Sequence, residues 1–147
     1  MANSPIFKRI NLCVSDLDRS LEIYRDTLGF TIDYQKDSKE DSYSYPVFTL
    51  PKEAKIRFAT LNTKSQERTL ALTEVTGIEL PPMPVPRMVA AVINCPDFDD
   101  VIAKVKAVGL EIIEPQALPG PDGNAKGREA AFIDPDGHLI VLYVLNG

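Results

Sequence analysis

The sequence has no tryptophan, one histidine, His138, and two cysteines, Cys13 and Cys95. Two cysteines cannot form a disulfide framework, and both lie in or beside strand-like segments, where a reduced thiol behaves as a small apolar side chain. Because the only histidine follows a turn, a cysteine–histidine nucleophile pair is poorly supported. We therefore interpret both cysteines as packing residues.

Long apolar runs and clusters of positive charge are also missing. No apolar run approaches the ~18–20 residues that span a bilayer, and residues 1–5 lack the basic and apolar regions of a secretory signal. The formal charge is −5, and the lysines and arginines are scattered, so binding to a phosphate backbone is disfavoured. We expect a soluble, cytoplasmic protein with neither a membrane nor nucleic acid as a partner.

What the chain does contain is one structural pattern that occurs twice. Residues 7–14 alternate apolar and mixed side chains, which predicts a half-buried strand. Ser15 or Asp16 can then cap a helix, because a short side-chain oxygen accepts a free first-turn amide. The apolar residues of this helix recur at helical spacing, at Leu17, Leu21, Tyr24 and Leu28. Gly29 ends the helix, and further strands are predicted at residues 30–34, 56–61 and 69–75.

The second copy begins with another strand-like segment at residues 87–94 and continues with a helix after Asp97. The predicted inward-facing residues of this helix are Phe98, Ile102 and Val105. Its later strands are predicted at residues 111–114, 129–133 and 139–145. The turn Asp134–Gly137 joins the last two of these strands, and Asp16 and Asp97 hold equivalent positions in the two copies.

These patterns divide the chain into two modules. We predict a first module at residues 1–76 with a lid-like insertion at 36–52, a proline-rich linker at 77–86, and a second module at 87–147. The insertion is too long for a tight turn and carries aromatic residues, which favours a binding loop or lid over disorder. Four prolines make the linker stiff and extended.

The segment Ile10–Phe30, together with Gly127-Arg128 and Phe132–His138, resembles the vicinal oxygen chelate superfamily. This superfamily includes glyoxalase I, extradiol dioxygenases, fosfomycin resistance proteins and bleomycin resistance proteins. The resemblance covers nearly the whole chain. It implies an α+β fold in which two tandem βαβββ modules form a curved mixed sheet around a cavity, and it implies a homodimer.

The resemblance also implies four metal-ligand positions, a histidine in the first strand and a glutamate in the last strand of each module. In this chain those positions fall on Arg9, Ala71, Ala90 and Val141. None of these side chains binds a metal ion, and a charged guanidinium would repel one. We therefore predict no metal cofactor, with a site rebuilt from Glu74 and His138 as the alternative.

Strand alternation predicts which residues line the cavity. We select a mixed set of polar and apolar side chains as ligand-binding candidates: Arg9, Asn11, Thr73, Val92, Asn94, Phe132, Val141 and Tyr143. Arg9 can grip a carboxylate, phosphate or enolate oxygen through two parallel hydrogen bonds. It can equally extend into solvent or pair with an acidic neighbour.

The leading functional prediction is a metal-free protein that binds a small, partly hydrophobic organic molecule between its sheets. It resembles the antibiotic-binding members of the superfamily, which sequester their ligands. The alternative is an enzyme, a lyase, isomerase or dioxygenase relative that uses a rebuilt metal site or acid–base catalysis by Arg9, Glu74 or His138. A purely structural or regulatory dimer is the third class.

Overall fold

The structure, a computed structural model, describes residues 3–147. Met1 and Ala2, which the sequence analysis assigns to the first module, lie outside the described residues. Within the described range the strands are β1 (Ile10–Val14), β2 (Thr31–Asp37), β3 (Lys55–Asn62), β4 (Leu70–Thr76), β5 (Ala90–Asn94), β6 (Ile112–Pro119), β7 (Ala125–Ile133) and β8 (Leu139–Leu145). The α-helices are α1 (Leu17–Leu21), α2 (Ser44–Phe48) and α3 (Phe98–Ala107). None of the helices in this range is long and apolar enough to cross a bilayer.

The strands form two four-stranded mixed sheets, one in each half of the chain. The first has the order β1-β4-β3-β2 and the second the order β5-β8-β7-β6. In both sheets the first strand pairs parallel with the last, and the other pairs are antiparallel. The chain divides into two compact units between Leu80 and Pro81. The predicted α+β fold with two tandem βαβββ modules is confirmed.

The first helix begins as predicted but changes its winding. The Asp16 carboxylate accepts a hydrogen bond from the Arg19 amide at 3.1 Å and so caps α1. Residues Glu22–Thr27 then form a π-helical turn, in which more residues fit into each turn than in an α-helix. Leu28 is therefore rotated away from the apolar stripe, and it is half-buried rather than part of the core as predicted.

Helix α3, the helix of the second module, is a regular α-helix. Its buried residues are Phe98, Val101, Ile102 and Val105, which include the three inward-facing residues that the sequence predicts. Asp97 stands at the N-cap but its side chain makes no capping hydrogen bond. The two equivalent aspartates therefore differ in what they contribute to their helices.

Alternation along the strands separates a helix-facing side from the opposite side of each sheet. In β1 and β4 the buried residues Leu12, Val14 and Leu72 share one parity, and α1 contacts β4. In β8 the fully buried residues Ile140 and Leu142 play the same part, and α3 contacts β8. Each core thus lies between one helix and one side of its own sheet.

Three strands extend by three or more residues beyond their predicted ends. β2 continues from Tyr34 to Asp37, β6 continues from Glu114 to Pro119, and β7 begins at Ala125 rather than Glu129. The short turn at residues 120–124 joins β6 to β7, closed by the Gly120 amide donating to the Asn124 carbonyl at 2.8 Å. Residues 38–54, by contrast, form a long β2–β3 connection that contains α2.

Candidate functional site

A pocket of about 460 Å³ lies within the first module. Eleven residues line it, of which eight belong to the β2–β3 connection. The other three come from the sheet, Asn11 on β1, Lys36 on β2 and Phe58 on β3. Its volume falls within the about 300–1,000 Å³ typical of small-molecule sites. The predicted lid-like segment at residues 36–52 thus supplies most of the pocket wall.

Hydrogen bonds fix the β2–β3 connection at both ends. The Ser38 amide donates to the Ile56 carbonyl at 2.9 Å. The Tyr45 hydroxyl donates to the Ala54 carbonyl at 2.7 Å, and the Leu50 amide donates to the Tyr45 carbonyl at 2.8 Å. Thr49 follows α2 in the left-handed conformation with φ of 56°, which is how a helix commonly ends. The connection is therefore a folded element, and whether it closes over a ligand stays a prediction.

Register places a row of side chains on the pocket side of the sheet. Thr73 on β4 pairs with Phe58 on β3, and Phe58 pairs with Lys36 on β2. Side chains of directly paired residues lie on the same side of a sheet. Asn11 joins this row through its side-chain Oδ1, which accepts a hydrogen bond from the Thr73 hydroxyl at 2.7 Å. Asn11 and Thr73, both predicted ligand-binding residues, are thus brought together.

Lys36 lies among aromatic rings. Its ammonium nitrogen is 5.6 Å from the centroid of the Tyr34 ring and 5.9 Å from that of Phe58. The two rings contact each other at 5.8 Å in a tilted arrangement. A cation over aromatic faces is held by the ring quadrupoles without being neutralised. The sheet side of the pocket therefore offers a positive charge next to an apolar surface.

Glu74 lies on the opposite, helix-facing side of the same sheet, as its shared parity with Leu72 predicts. Its carboxylate accepts hydrogen bonds from Arg57 at 2.8 and 3.0 Å and from the Leu17 amide at 2.7 Å. Burial alone would raise the pKa of Glu74, but the bonds from Arg57 and Leu17 outweigh it, and the pKa is lowered. The carboxylate also raises the pKa of Arg57. Glu74 therefore joins the start of α1 to the sheet.

The residues at the implied metal-ligand positions do not suit a metal ion. Arg9 is exposed, and its Nε donates to the Arg68 carbonyl at 3.0 Å. Ala71 presents a methyl group with 3% exposure, and Ala90 and Val141 have no donor atoms in their side chains. Among residues 3–147, no group of three or more histidine, cysteine, aspartate or glutamate residues is placed to hold a metal ion.

The ligand-binding candidates of the second module lie on different sides of its sheet. Val92 pairs with Val141 and Asn94 with Tyr143 in the β5–β8 register, and all four share one side. Phe132 instead pairs with Ile140 and is fully buried, so its ring belongs to the helix-facing core. A ligand could reach that ring only if the core opened.

His138 follows a structured turn. The Asp134 carboxylate accepts hydrogen bonds from the amides of Asp136 and His138, both at 2.9 Å. The Gly137 amide donates to the Asp134 carbonyl at 3.0 Å, and Gly137 has a φ of 91°. The buried Asp134 thus organises the predicted Asp134–Gly137 turn, and the His138 amide contributes to its closure.

Sequence reasoning missed two sheet residues of the pocket, Lys36 and Phe58. The sequence contains a signal for Lys36, because it lies two residues after Tyr34 and a continued strand would place both side chains on the same side. The predicted strand, however, ends at Tyr34. Phe58 lies within a predicted strand, yet the predicted cavity lining includes no residue of that strand. The aromatic residues Tyr43 and Phe48 of the segment after β2, part of the predicted lid-like insertion, line this pocket.

The chain was compared with known proteins. The family model of the Glyoxalase/Bleomycin resistance protein/Dioxygenase superfamily matches residues 6–142. A search of curated proteins gives no significant match. A glyoxalase family protein from Bacillus cereus superposes with a TM-score of 0.77 at 16% identity, over 100% of this chain and 99% of that one.

Two further solved structures share the fold. TnmS3, an antibiotic binding protein from Streptomyces sp. CB03234, has a TM-score of 0.61 and 23% identity over 99% of both chains. The trypanothione-dependent glyoxalase I of Leishmania major has a TM-score of 0.63 and 22% identity, over 97% of this chain and 87% of that one. At these identities the likeness concerns the fold alone. The family model and the two βαβββ modules together establish that this chain belongs to the Glyoxalase/Bleomycin resistance protein/Dioxygenase superfamily.

Proposed function

We propose that this protein binds a small, partly hydrophobic organic molecule in the pocket of its first module, without a metal ion. The observation that carries the proposal is the pocket of about 460 Å³ built by the β2–β3 connection against the sheet. Its lining combines the rings of Phe48 and Phe58 with serine hydroxyls and the Asn11 amide. Apolar walls with a few oriented polar groups are typical of sites for organic ligands.

Metal-independent binding is supported by the residues at the four implied ligand positions. The Arg9 guanidinium is positively charged and would repel a metal cation, and its Nε donates to the Arg68 carbonyl. The other three positions carry only aliphatic side chains. A Lewis-acid step of the kind that metal-dependent members use therefore has no donor set at these positions.

Sequestration is favoured over catalysis by the environment of Glu74. A general base works best when its pKa lies near the working pH and when its lone pairs can reach the substrate. The pKa of Glu74 is lowered, and its oxygens are occupied by Arg57 and the Leu17 amide. The fold that this chain shares with the antibiotic binding protein TnmS3 is compatible with a binding role.

We also propose a homodimer that uses the β5 edge of the second sheet. β5 is an edge strand of that sheet. The residues before and within it expose apolar side chains, with Met88 at 79%, Val89 at 67% and Val92 at 63% exposure. Contiguous exposed apolar residues on a strand edge are characteristic of association surfaces. We expect the substitution Val92→Lys to convert a dimer into a monomer in light scattering, whereas a wild-type monomer would contradict the proposed assembly.

The proposed function is tested by native mass spectrometry of the gently purified full-length chain. The expected spectrum shows protein without metal and with an organic adduct, and the adduct mass identifies the ligand class. Val47→Trp places an indole in the pocket wall and should remove the adduct. Val108→Trp changes a valine of the same 55% exposure at the end of α3 and should retain it.

Two results would overturn the proposal. A stoichiometric metal adduct on the wild-type protein would show that other residues rebuild a metal site. An organic adduct that persists in Val47→Trp would place the ligand outside this pocket. Turnover of the identified adduct by the purified protein would instead favour the enzymatic alternative, and loss of that turnover with a chelator would assign it to a metal.

A further inference from the structure

Two side chains of the pocket, Lys36 and Asn11, carry hydrogen-bond donors that bond to no other described residue. Within residues 3–147, the Lys36 ammonium has no carboxylate partner, and its neighbours are the rings of Tyr34 and Phe58. The Asn11 Oδ1 accepts from the Thr73 hydroxyl, and Thr73 is 2% exposed. This bond orients the Asn11 side chain so that its NH₂ group remains available to the pocket. A cation and an amide donor therefore face the same space.

The apolar part of the pocket is aromatic and lies beside these donors. Phe58 forms the sheet side, and Phe48 and Val47 of α2 line the pocket from the connection. Ring faces prefer flat partners, which they contact by stacking or by edge-to-face packing. The pocket therefore presents an aromatic surface with a positive charge at its border.

The local charge of the pocket has the opposite sign to that of the protein. Lys36 and Lys39 line it together with a single carboxylate, Asp41, whereas the whole chain carries a formal charge of −5. An excess of positive side chains at one concave site in an acidic protein selects negatively charged ligands by local Coulomb attraction.

We propose that the ligand is an organic anion with a flat apolar body, such as an aromatic carboxylate or sulfonate. Its anionic group lies against the Lys36 ammonium and the Asn11 NH₂ group, and its body lies on Phe58 and Phe48. Charge-assisted hydrogen bonds to a fixed amide and a cation give the orientation, and aromatic contact gives the buried area. This inference rests on the proposed function, because it uses the same pocket.

The test compares two fluorescent probes that share one aromatic body. The anion is 8-anilinonaphthalene-1-sulfonate, and the neutral counterpart is N-phenyl-1-naphthylamine, which lacks the sulfonate. Dissociation constants are measured by titration with the full-length wild-type protein and its variants. We expect the anionic probe to bind about 10-fold more tightly than the neutral one, and its affinity to fall as salt is added.

Lys36→Gln should weaken the anionic probe about 5- to 10-fold and leave the neutral probe within about twofold. Lys64→Gln removes an exposed lysine outside the pocket and should change neither affinity. Asn11→Leu is the second test variant, and we expect it to weaken the anionic probe about threefold. Near-ultraviolet circular dichroism identifies variants that keep their fixed tertiary packing, since a partly folded chain with exposed apolar surface also binds these dyes.

The outcomes separate the two proposals. If Val47→Trp weakens both probes but neither Lys36→Gln nor Asn11→Leu distinguishes them, the pocket binds small molecules and the anion preference is wrong. If Val47→Trp leaves both affinities unchanged, or if neither probe binds the wild-type protein below about 1 mM, the proposed function itself is overturned. Selective loss of the anionic probe in folded Lys36→Gln supports both proposals.

Discussion

The two modules share their strand order and their parallel and antiparallel pairings but differ in the connection between the second and third strands. In the first module this connection runs over residues 38–54 and contains α2, whereas in the second it is the tight turn at residues 120–124. The described pocket is built by the longer connection. The repeated unit therefore supplies the scaffold, and the inserted segment supplies the candidate site.

Equivalent positions on the two sheets also differ, because the first module carries the hydrogen-bonding residues on the pocket side. The positions of Asn11 and Thr73 in the first module correspond to Val92 and Tyr143 in the second. Among these four residues, a side-chain hydrogen bond is present only between Asn11 and Thr73, in the first module. Valine and tyrosine at the equivalent positions of the second module form no such pair. The polar side chains of the pocket and the connection that lines it belong to the same half of the chain.

The helix-facing sides also differ, although both are well packed. Glu74 binds the first amide of α1 and Arg57, whereas its counterpart in the second module is Val144. The first module thus has a partly buried ionic contact at a position where the second has an aliphatic residue. This contrast predicts that the two modules respond differently to pH.

The largest expected effect tests the likeness of the two cores. Leu72→Ala and Leu142→Ala remove equivalent side chains that are fully buried. Each should lower the free energy of unfolding by about 3–5 kcal/mol, because each leaves a cavity. Denaturant unfolding followed by circular dichroism measures the loss. Leu145→Ala, at a residue that is 48% exposed, should cost far less, and a small loss for only one of the two core variants would contradict their equivalence.

The next effect tests the ionic contact of the first module. Glu74→Gln should lower the free energy of unfolding by about 2 kcal/mol at pH 7, because Arg57 loses a charged partner. Asp99→Asn breaks the exposed pair with Arg128 in the second module and should cause no measurable change, since exposed ion pairs contribute little. Equal losses in the two variants would contradict the distinction between the modules.

The same contact predicts a pH dependence with a defined sign. The folded pKa of Glu74 is lowered, so its contribution is fully present above the unfolded value of about 4.3. The contribution is lost as pH falls through the folded pKa. The difference in stability between wild type and Glu74→Gln should stay constant from pH 7 to about 5 and shrink below it. A difference that grows on acidification would have the wrong sign.

The smallest effect compares the two helix caps. Asp16→Ala should cost about 1 kcal/mol, because the carboxylate accepts the Arg19 amide. Asp97→Ala should leave the stability unchanged, since that side chain makes no capping bond. Thermal unfolding of both variants measures the contrast. A larger loss for Asp97→Ala would show that the two caps are wrongly assigned.

Much of the fold could be predicted from sequence because its signals are local. Alternation around Leu12 and Val14, the Asp16 cap and the Asp134–Gly137 turn each depend on a few neighbouring residues, and the structure confirms them. Phe132 was harder to place, because residues 130–133 are all buried and show no alternation. Its side of the sheet follows only from its pairing with Ile140.

The candidate site was less predictable than the fold. Its wall comes from a connection without a periodic pattern, so the sequence predicted the segment but not the path it follows. The π-helical turn after α1 likewise has no simple sequence signal, and it moves Leu28 off the apolar stripe. Pockets depend on which distant segments meet, and that information lies in tertiary contacts such as the pairing of Lys36 with Phe58.

We infer that the connection of the first module forms the ligand site. The most direct measurement is a titration of the ¹⁵N-labelled full-length protein with 8-anilinonaphthalene-1-sulfonate, followed by amide chemical shifts. We predict saturable shifts concentrated in residues 36–48 and around Phe58, with little change in β8. Shifts centred on β5 and β8, with residues 36–48 unaffected, would contradict the account.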